Sequence, residues 1–166
     1  GGENLEFHSY SQQSFLNEKT DKIKKREMIK LKEPIKTKEG KEIYDAGLTL
    51  SEFAQILSRI YALKVTINYA DENDEETLNE FRNHLKKYLS DNKTFIAVNI
   101  DGKVLEKNTR GHISPIAAYD EKSDSVLVLD VALHKNLWYW VSTKKLYDAM
   151  NTKDGESFRG YVFVRK

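Results

Sequence analysis

The 166-residue sequence contains no cysteine, and this absence has the widest consequences. Without cysteine the chain cannot form a disulfide or a zinc–thiolate site, and it cannot supply a thiol nucleophile. The sequence also has no apolar run near the roughly 18 residues that a membrane-spanning helix needs. Its net charge of +1 gives no general electrostatic reason to bind nucleic acid or anionic lipid. The compartment stays open, because a cysteine-free protein suits cytoplasm and periplasm alike.

What the chain does contain is typical of a soluble globular protein, with 39% hydrophobic and 32% charged residues. Its length suits a single domain over residues 1–166. Gly1 and Gly2 resemble a cleavage scar, so we expect the natural protein to start elsewhere. Residues 21–43 are rich in lysine, with interleaved acids and breaks at Pro34 and Gly40. This pattern predicts a lysine-rich surface insertion with room for a short hairpin, and not a nucleic-acid site.

Local patterns predict helices first and strands afterwards, which indicates an α+β domain. Thr49 and Glu52 have the spacing of a capping box, and the apolar spacing after them predicts a helix over residues 50–63. An acidic start and a basic end predict a second helix over about 74–90. Ser142 begins a short helix over residues 142–150. Predicted strands cover residues 64–70, 95–100, 113–119, 125–131 and 160–165.

One predicted hairpin carries a histidine and an aspartate that could act together. If Tyr119 pairs with Ser125 across the polar turn, His112 lies diagonally from Asp130 on one face of the sheet, roughly 7–8 Å away. A carboxylate can then orient the imidazole, which serves as general base for a nucleophile. Gly111 leaves room for a substrate beside the ring. A register slip of one residue would separate the pair, and a core histidine beside an unrelated aspartate remains the alternative.

Around these residues the sequence resembles the phytochelatin synthase family. The first matching segments are Gly111-His112-Ile113-Ser114-Pro115, Leu127 to Asp130-Val131-Ala132, and Trp140-Val141. Others are Ser11-Gln12, Asn17-Glu18-Lys19-Thr20, Gly47-Leu48-Thr49-Leu50, Asn99, Ala149-Met150-Asn151-Thr152 and Arg159-Gly160-Tyr161. The matches keep their order nearly from end to end.

The resemblance implies a papain-like fold whose antiparallel sheet carries the His/Asp pair. It also implies transfer of the γ-glutamylcysteine dipeptide from glutathione, or hydrolysis that releases glycine. In this interpretation His112 is the catalytic histidine and Asp130 orients it. The implied substrate-binding residues are Gly111, Asn99, Asp154 and Arg159. No resident metal or cofactor is implied, although a heavy-metal–glutathione thiolate is a possible form of the substrate, as metal detoxification would require.

Departures from the family pattern concern the nucleophile and the cationic residues. The family's cysteine segment lies upstream of the match to Ser11-Gln12, so we expect the N-terminal helical lobe and its cysteine to be missing from this chain. The protein's own N-terminal fragment or a second copy of the chain would then complete the site. Ser11 or Ser14 is a poor substitute, because residues 17–20 match a later family block. Leu133 and Gly102 replace arginines, which puts transfer to a second glutathione in doubt more than hydrolysis.

Two other functions stay open on the sequence alone. The chain could be an inactive module that binds glutathione-like peptides or a protein partner, since it lacks the arginines. A protein-only metal site is the weaker alternative, because the four histidines have no ligand spacing. These histidines are His8, His84, His112 and His134.

Overall fold

The computed structural model describes residues 15–29, 35–36, 38–40, 42–43, 47–107, 109–131 and 137–166. Backbone contacts divide the chain into two units, Gly1–Ala46 and Gly47–Lys166. Each unit is described by itself. No helix among the described residues is both long and apolar enough to cross a bilayer.

The first unit contains short elements within and beside the lysine-rich stretch. A 3-10 turn covers Thr20–Lys22, and a one-turn helix covers Arg26–Ile29. Strands Ile35–Lys36 and Glu42–Ile43 pair antiparallel, with Gly40 between them at a φ of 77°. Glycine adopts this left-handed conformation without a steric penalty. The short hairpin expected between residues 21 and 43 is therefore present.

The second unit is built on a six-stranded antiparallel sheet, which confirms the predicted α+β class. The strands are β1 Lys64–Tyr69, β2 Thr94–Asp101, β3 Gly111–Asp120, β4 Ser125–Val128, β5 Tyr139–Ser142 and β6 Gly160–Arg165. Their order across the sheet is β1-β6-β2-β3-β4-β5. A two-stranded ribbon, Lys153–Asp154 with Ser157–Phe158, precedes β6. Strand β5 was not predicted, and it forms one edge of the sheet.

Three helices begin where side chains satisfy free backbone donors. Helix α1 covers Leu50–Gln55 and continues as a π-helical turn over Ile56–Ile60. The predicted capping box is confirmed, because the backbone N–H of Glu52 donates to the Thr49 side chain while the Thr49 N–H donates to the Glu52 carboxylate. Helix α2 covers Glu75–Leu89, and helix α3 covers Thr143–Met150 with Ser142 as its N-cap. Such caps are each worth about 1 kcal/mol.

Helices pack on both faces of the sheet. Helices α2 and α3 bury one face with the side chains of Leu78, Phe81, Leu85, Leu146 and Met150. The sheet contributes Ile96, Val98, Ile100, Ile116, Val126 and Val128 to this core. Helix α1 covers part of the other face, where Leu50 and Ala54 pack against Ala97 and Val162. Each buried leucine or phenylalanine stabilises the fold by about 1.5–3 kcal/mol.

Candidate active site

A β-bulge in β3 decides whether His112 lies on the same face of the sheet as Asp130. At the turn, Asp120 pairs with Ser125, so the expected pairing of Tyr119 with Ser125 is wrong by one residue. The register then shifts between Ile116 and Ala118, and Ile116 pairs with Val128. An extra residue on one strand moves all later side chains of that strand to the other face. The bulge therefore restores the alignment that the hairpin prediction needed, although the turn itself differs.

His112 and Asp130 consequently meet on the face that carries α2 and α3. The Nε2 atom of His112 lies 3.3 Å from Oδ1 of Asp130. The Asp130 side chain is fully buried, and that of His112 is 15% exposed. The pair is close enough for an ion pair, but Nε2 is buried without an aligned hydrogen bond to a described residue. The two side chains are therefore in contact, but Nε2 and the carboxylate are not aligned for a hydrogen bond.

The two nitrogens of the His112 ring face different acceptors. Nδ1 lies 3.1 Å from the backbone carbonyl oxygen of Arg110, and Nε2 faces Asp130. A neutral imidazole has one N–H donor and can satisfy only one of these two acceptors. A carbonyl oxygen only accepts, so the hydrogen bond to Arg110 makes Nδ1 the donor, while Nε2 faces Asp130 without an aligned hydrogen bond. For Nδ1 to accept a proton from another group, the ring must adopt the other tautomer, with its N–H at Nε2 facing Asp130. A reacting group would have to displace the Arg110 carbonyl from Nδ1.

Arg159 lies beside the start of β3, close to Gly111. The residue is 7% exposed. Its guanidinium donates through Nη1 to the Thr152 hydroxyl at 3.1 Å and to the Lys153 carbonyl. A Cβ at Gly111 would stand 2.5 Å from Nη2 of Arg159, so only glycine lets the guanidinium occupy this position. Nη2 also lies 3.8 Å from the carboxylate of Asp154, while Nε is buried without a partner among the described residues.

Asn99 completes this second group of predicted site residues. Its side-chain amide donates to Oδ2 of Asp154 at 3.0 Å, and the residue is 1% exposed. Successive strand residues point to opposite faces, and Asn99 pairs with Ile113 whereas Ile100 pairs with His112. The structure therefore brings Asn99, Asp154 and Arg159 together in one hydrogen-bonded and ion-paired group, with Gly111 packed against the guanidinium. Strand alternation directs Asn99 and Gly111 away from the face of His112, at the same end of the sheet.

The loop before β3 explains one departure from the family pattern. A Cβ at Gly102 would stand 2.1 Å from the Thr109 hydroxyl and 2.8 Å from the Thr109 carbonyl oxygen. Any larger residue would force this loop apart, so an arginine does not fit position 102 in the present loop. Leu133, the other substituted position, lies outside the described residues.

Sequence reasoning missed Tyr139, because β5 was not predicted. Tyr139 pairs with Val128 and shares the face of Asp130. Burial, with a further contribution from the Asp130 charge, raises the pKa of Tyr139 to about 12. The signal that could have found it is the alternation of Tyr139 and Val141 with outward-facing residues just before the Ser142 cap.

The remaining histidines do not join this site in the part of the chain that the structure describes. The Nδ1 atom of His84 lies 2.9 Å from the Tyr161 hydroxyl, on α2 within an aromatic cluster. No group of three or more His, Cys, Asp or Glu residues suited to a metal occurs among the described residues. His8 and His134 lie outside them.

A sheet-borne imidazole beside a buried carboxylate defines a candidate acid–base site in an α+β protein. The family model described as Phytochelatin synthase matches residues 3–161. The chain belongs to the phytochelatin synthase family.

Curated relatives in plants and yeast share this similarity. A glutathione gamma-glutamylcysteinyltransferase 1 from Triticum aestivum is 34% identical over 95 residues, which cover 56% of this chain and 19% of that protein. A glutathione gamma-glutamylcysteinyltransferase 3 from Lotus japonicus is 35% identical over 95 residues, covering 56% of this chain and 20% of that protein. The enzyme of that name from Schizosaccharomyces pombe is 30% identical over 125 residues, covering 74% of this chain and 29% of its own length. The chain thus spans about a fifth to under a third of these relatives.

Proposed function

We propose that the chain forms the histidine side of a papain-like, thiol-dependent site that releases glycine from glutathione. The observation that carries the proposal is the 3.3 Å approach of His112 to the fully buried Asp130, on residues that match the family pattern. The chain has no cysteine, so the thiol belongs to another segment of the protein or to a partner chain. The names of the curated relatives support glutathione as the substrate.

The proposed reaction assigns His112 the proton transfers. Its Nδ1 takes the thiol proton, and the thiolate attacks the carbonyl of the peptide bond before the terminal glycine. The imidazolium then donates that proton to the glycine nitrogen as the C–N bond breaks, which leaves a γ-glutamylcysteinyl thioester. His112 then takes a proton from water, which attacks the thioester carbonyl. As the C–S bond breaks, the imidazolium returns that proton to the sulfur. A second glutathione can replace water, and its amine then forms the new peptide bond.

Asp130 stabilises the imidazolium and holds its orientation in this sequence of steps. A buried carboxylate can do so because its charge acts through a medium of low dielectric constant. Replacing such a carboxylate by its amide removes the charge and favours the wrong tautomer of the ring. Asp130→Asn should therefore lower the rate strongly without a large change of shape.

Arg159 and Asp154 provide a charge pattern that suits the γ-glutamyl end of the substrate. That end carries an ammonium and a carboxylate on one carbon. The Arg159 guanidinium can bind the carboxylate in a bidentate way, and the Asp154 carboxylate can bind the ammonium. Asn99 holds Asp154 in place through its 3.0 Å hydrogen bond. Arg159 is 7% exposed, so the guanidinium would have to move from its buried position beside Gly111 to bind a substrate carboxylate.

Hydrolysis is the better-supported outcome for the thioester in this chain. Gly102 replaces an arginine of the family pattern, and the contact with Thr109 leaves no space for that side chain. A cation lost from this loop weakens binding of a second anionic glutathione more than it affects attack by water. Glutathione carrying a heavy-metal thiolate remains a possible form of the substrate.

The test is glycine release from glutathione by the purified chain, alone and mixed with a cysteine-bearing N-terminal segment from the parent gene. We expect release only in the mixture, loss of at least 100-fold with His112→Ala, and no loss with His84→Ala as a matched histidine control. Release by the chain alone would refute the need for an external thiol.

If neither the chain alone nor the mixture releases glycine, although circular dichroism shows that the chain is folded, the enzymatic proposal is rejected. Titration with glutathione and with its thioether conjugates would then test the binding-module alternative. Binding that disappears in Arg159→Leu would support that alternative, and absence of binding at millimolar ligand would reject it as well.

A further inference from the structure

Ser114 is a buried polar residue beside the apolar core of the second unit. It is fully buried, and strand alternation points it to the same face of the sheet as His112, which lies two residues earlier. Its partner on β2 is Val98, which is also fully buried. A buried hydroxyl is unfavourable unless it takes part in a hydrogen bond. The hydrogen bond that Ser114 makes therefore indicates why a serine stands at this position.

Strands β3 and β4 separate just beyond the end of β4. The backbone N–H of Leu129 donates to the Pro115 carbonyl at 2.9 Å, but proline has no N–H with which to donate in return. In a regular antiparallel ladder the next bond would join the Val131 N–H to the carbonyl of Ile113. The Val131 N–H donates to the Ser114 hydroxyl at 3.4 Å instead. The serine side chain thus takes the place of a backbone acceptor where the ladder ends.

Asp130 lies between the two residues whose amides are held in this way. Leu129 precedes it and Val131 follows it, so the backbone on both sides of the carboxylate is bonded to β3. Both acceptors belong to adjacent residues of β3, the strand that also carries His112. The Asp130 side chain is fully buried, with Oδ1 3.3 Å from Nε2 of His112. A short stretch of β3 therefore carries the imidazole and also anchors the backbone of the carboxylate.

We propose that Ser114 is a positioning residue for Asp130. Its hydroxyl holds the Val131 amide and so fixes the backbone from which the carboxylate reaches towards His112. Without the hydroxyl, the Val131 amide loses this acceptor and the chain after β4 can move away from β3. The effect of Ser114 on turnover rests on the proposed function, whereas its effects on the Val131 amide and on the His112 ring do not.

The first experiment uses the full chain without any nucleophile and compares Ser114→Ala with the wild type by nuclear magnetic resonance. Hydrogen exchange of the Val131 amide should become at least tenfold faster, because its acceptor is removed, while the Leu129 amide keeps its own acceptor. The ring resonances of His112 should shift, since the neighbouring carboxylate moves. Ser125→Ala is the matched control and should change none of these signals, because the Ser125 hydroxyl donates to a carbonyl in the turn of the same hairpin at 3.1 Å.

A second variant separates the hydroxyl from the packing of the side chain. Ser114→Thr keeps a hydroxyl on the same carbon and should return the Val131 exchange rate and the His112 resonances to near their wild-type values. An unchanged exchange rate of the Val131 amide in Ser114→Ala overturns the proposal, because the hydroxyl then holds nothing. Faster exchange with unchanged His112 resonances overturns it as well, since the serine then supports the strand without positioning the carboxylate.

The second experiment measures glycine release by the mixture with the cysteine-bearing segment. Ser114→Ala should lower kcat roughly three- to tenfold, the effect of one hydrogen bond, and leave KM unchanged, because Ser114 is not among the proposed substrate-binding residues. Ser125→Ala should leave both constants unchanged. An active mixture in which Ser114→Ala keeps the wild-type kcat overturns the positioning role. An inactive mixture together with the expected changes in the resonances rejects the proposed function alone.

Discussion

Gly111→Ala tests the contact between the start of β3 and the buried guanidinium. The added Cβ would lie 2.5 Å from Nη2 of Arg159 and 3.2 Å from its Cζ and Nε atoms. Nonbonded carbon and nitrogen atoms prefer about 3.5–4.0 Å, so the guanidinium must move by about 1 Å. The glycine itself has no left-handed φ, and alanine therefore adds no backbone strain.

The size of the effect follows from what the guanidinium would lose. Nη1 of Arg159 donates to the Thr152 hydroxyl at 3.1 Å and to the Lys153 carbonyl. A shift of about 1 Å lengthens such bonds beyond a useful distance, and bonds from a charged donor are worth about 1.5–3 kcal/mol each. Part of this is recovered as the flexible side chain settles elsewhere. We expect a loss of about 2–3 kcal/mol in the free energy of unfolding, or roughly 5–10 °C in Tm.

Urea unfolding of four proteins measures this contact. They are the wild type, Gly111→Ala, Arg159→Leu and the double variant. The loss caused by Gly111→Ala should fall below about 0.5 kcal/mol when leucine replaces Arg159, because no guanidinium is left to displace. Gly155→Ala is a control, since Gly155 has a φ of 68° and open space around it, and its cost should be the same in both backgrounds. Equal losses from Gly111→Ala in both backgrounds would refute the reasoning.

Three further predictions concern stability. Burial lowers the pKa of His84 below its usual 6.5, so the unfolded chain binds more protons and the free energy of unfolding should fall as pH drops below that value; a His84→Gln variant that shows the same slope in urea unfolding would contradict this. Asp124→Ala should cost about 1–3 kcal/mol, because Arg82 donates to this carboxylate at 2.7 Å; a denaturant midpoint equal to that of the wild type would exclude a stabilising role. Thr49→Ala removes the N-cap of α1 and should cost about 1 kcal/mol by thermal unfolding, whereas Thr49→Ser should cost a few tenths.

Helix starts could be predicted from the sequence because their chemistry is local. Thr49 and Glu52 are three residues apart, and both hydrogen bonds of the capping box form between them. Ser142 likewise accepts from the backbone N–H of Lys145. Such contacts need only the chain's own conformation. The bounds of α2 are close to those expected for the same reason, since Asp74 caps its start and Lys86 and Lys87 lie in its last turn.

Strand β5 and the hairpin register depend on residues far along the chain. Four residues with Trp140 outward and Tyr139 inward become a strand only because β4 lies beside them. The two strands of the hairpin are apolar on both faces, so their pattern does not select one register over another. The bulge at Ala117 therefore depends on tertiary contacts and could not be predicted from the pattern. It offsets the one-residue difference at the turn, so that Ile116 still pairs with Val128.

The candidate site divides in a similar way. His112 and Asp130 lie in one hairpin and were found from their spacing together with the family resemblance. The contact of Arg159 with Gly111 joins residues 48 positions apart, and no local pattern announces it. Tyr139 was not predicted as a site residue because strand β5, which carries it, was not predicted. The roles of all these residues in binding and catalysis stay predictions.

The bulge has a consequence for how this segment can change in length. Hairpin loops of two to five residues are all common, so a residue gained or lost in the turn at 121–124 can change the loop alone and leave the pairing of Ile116 with Val128 in place. A residue gained or lost between His112 and Ile116 has no such outlet, because it moves His112 by one position and turns the imidazole to the face opposite Asp130. Length variation in a copy of the fold that keeps the histidine–aspartate pair should therefore fall in the turn and not between residues 112 and 116.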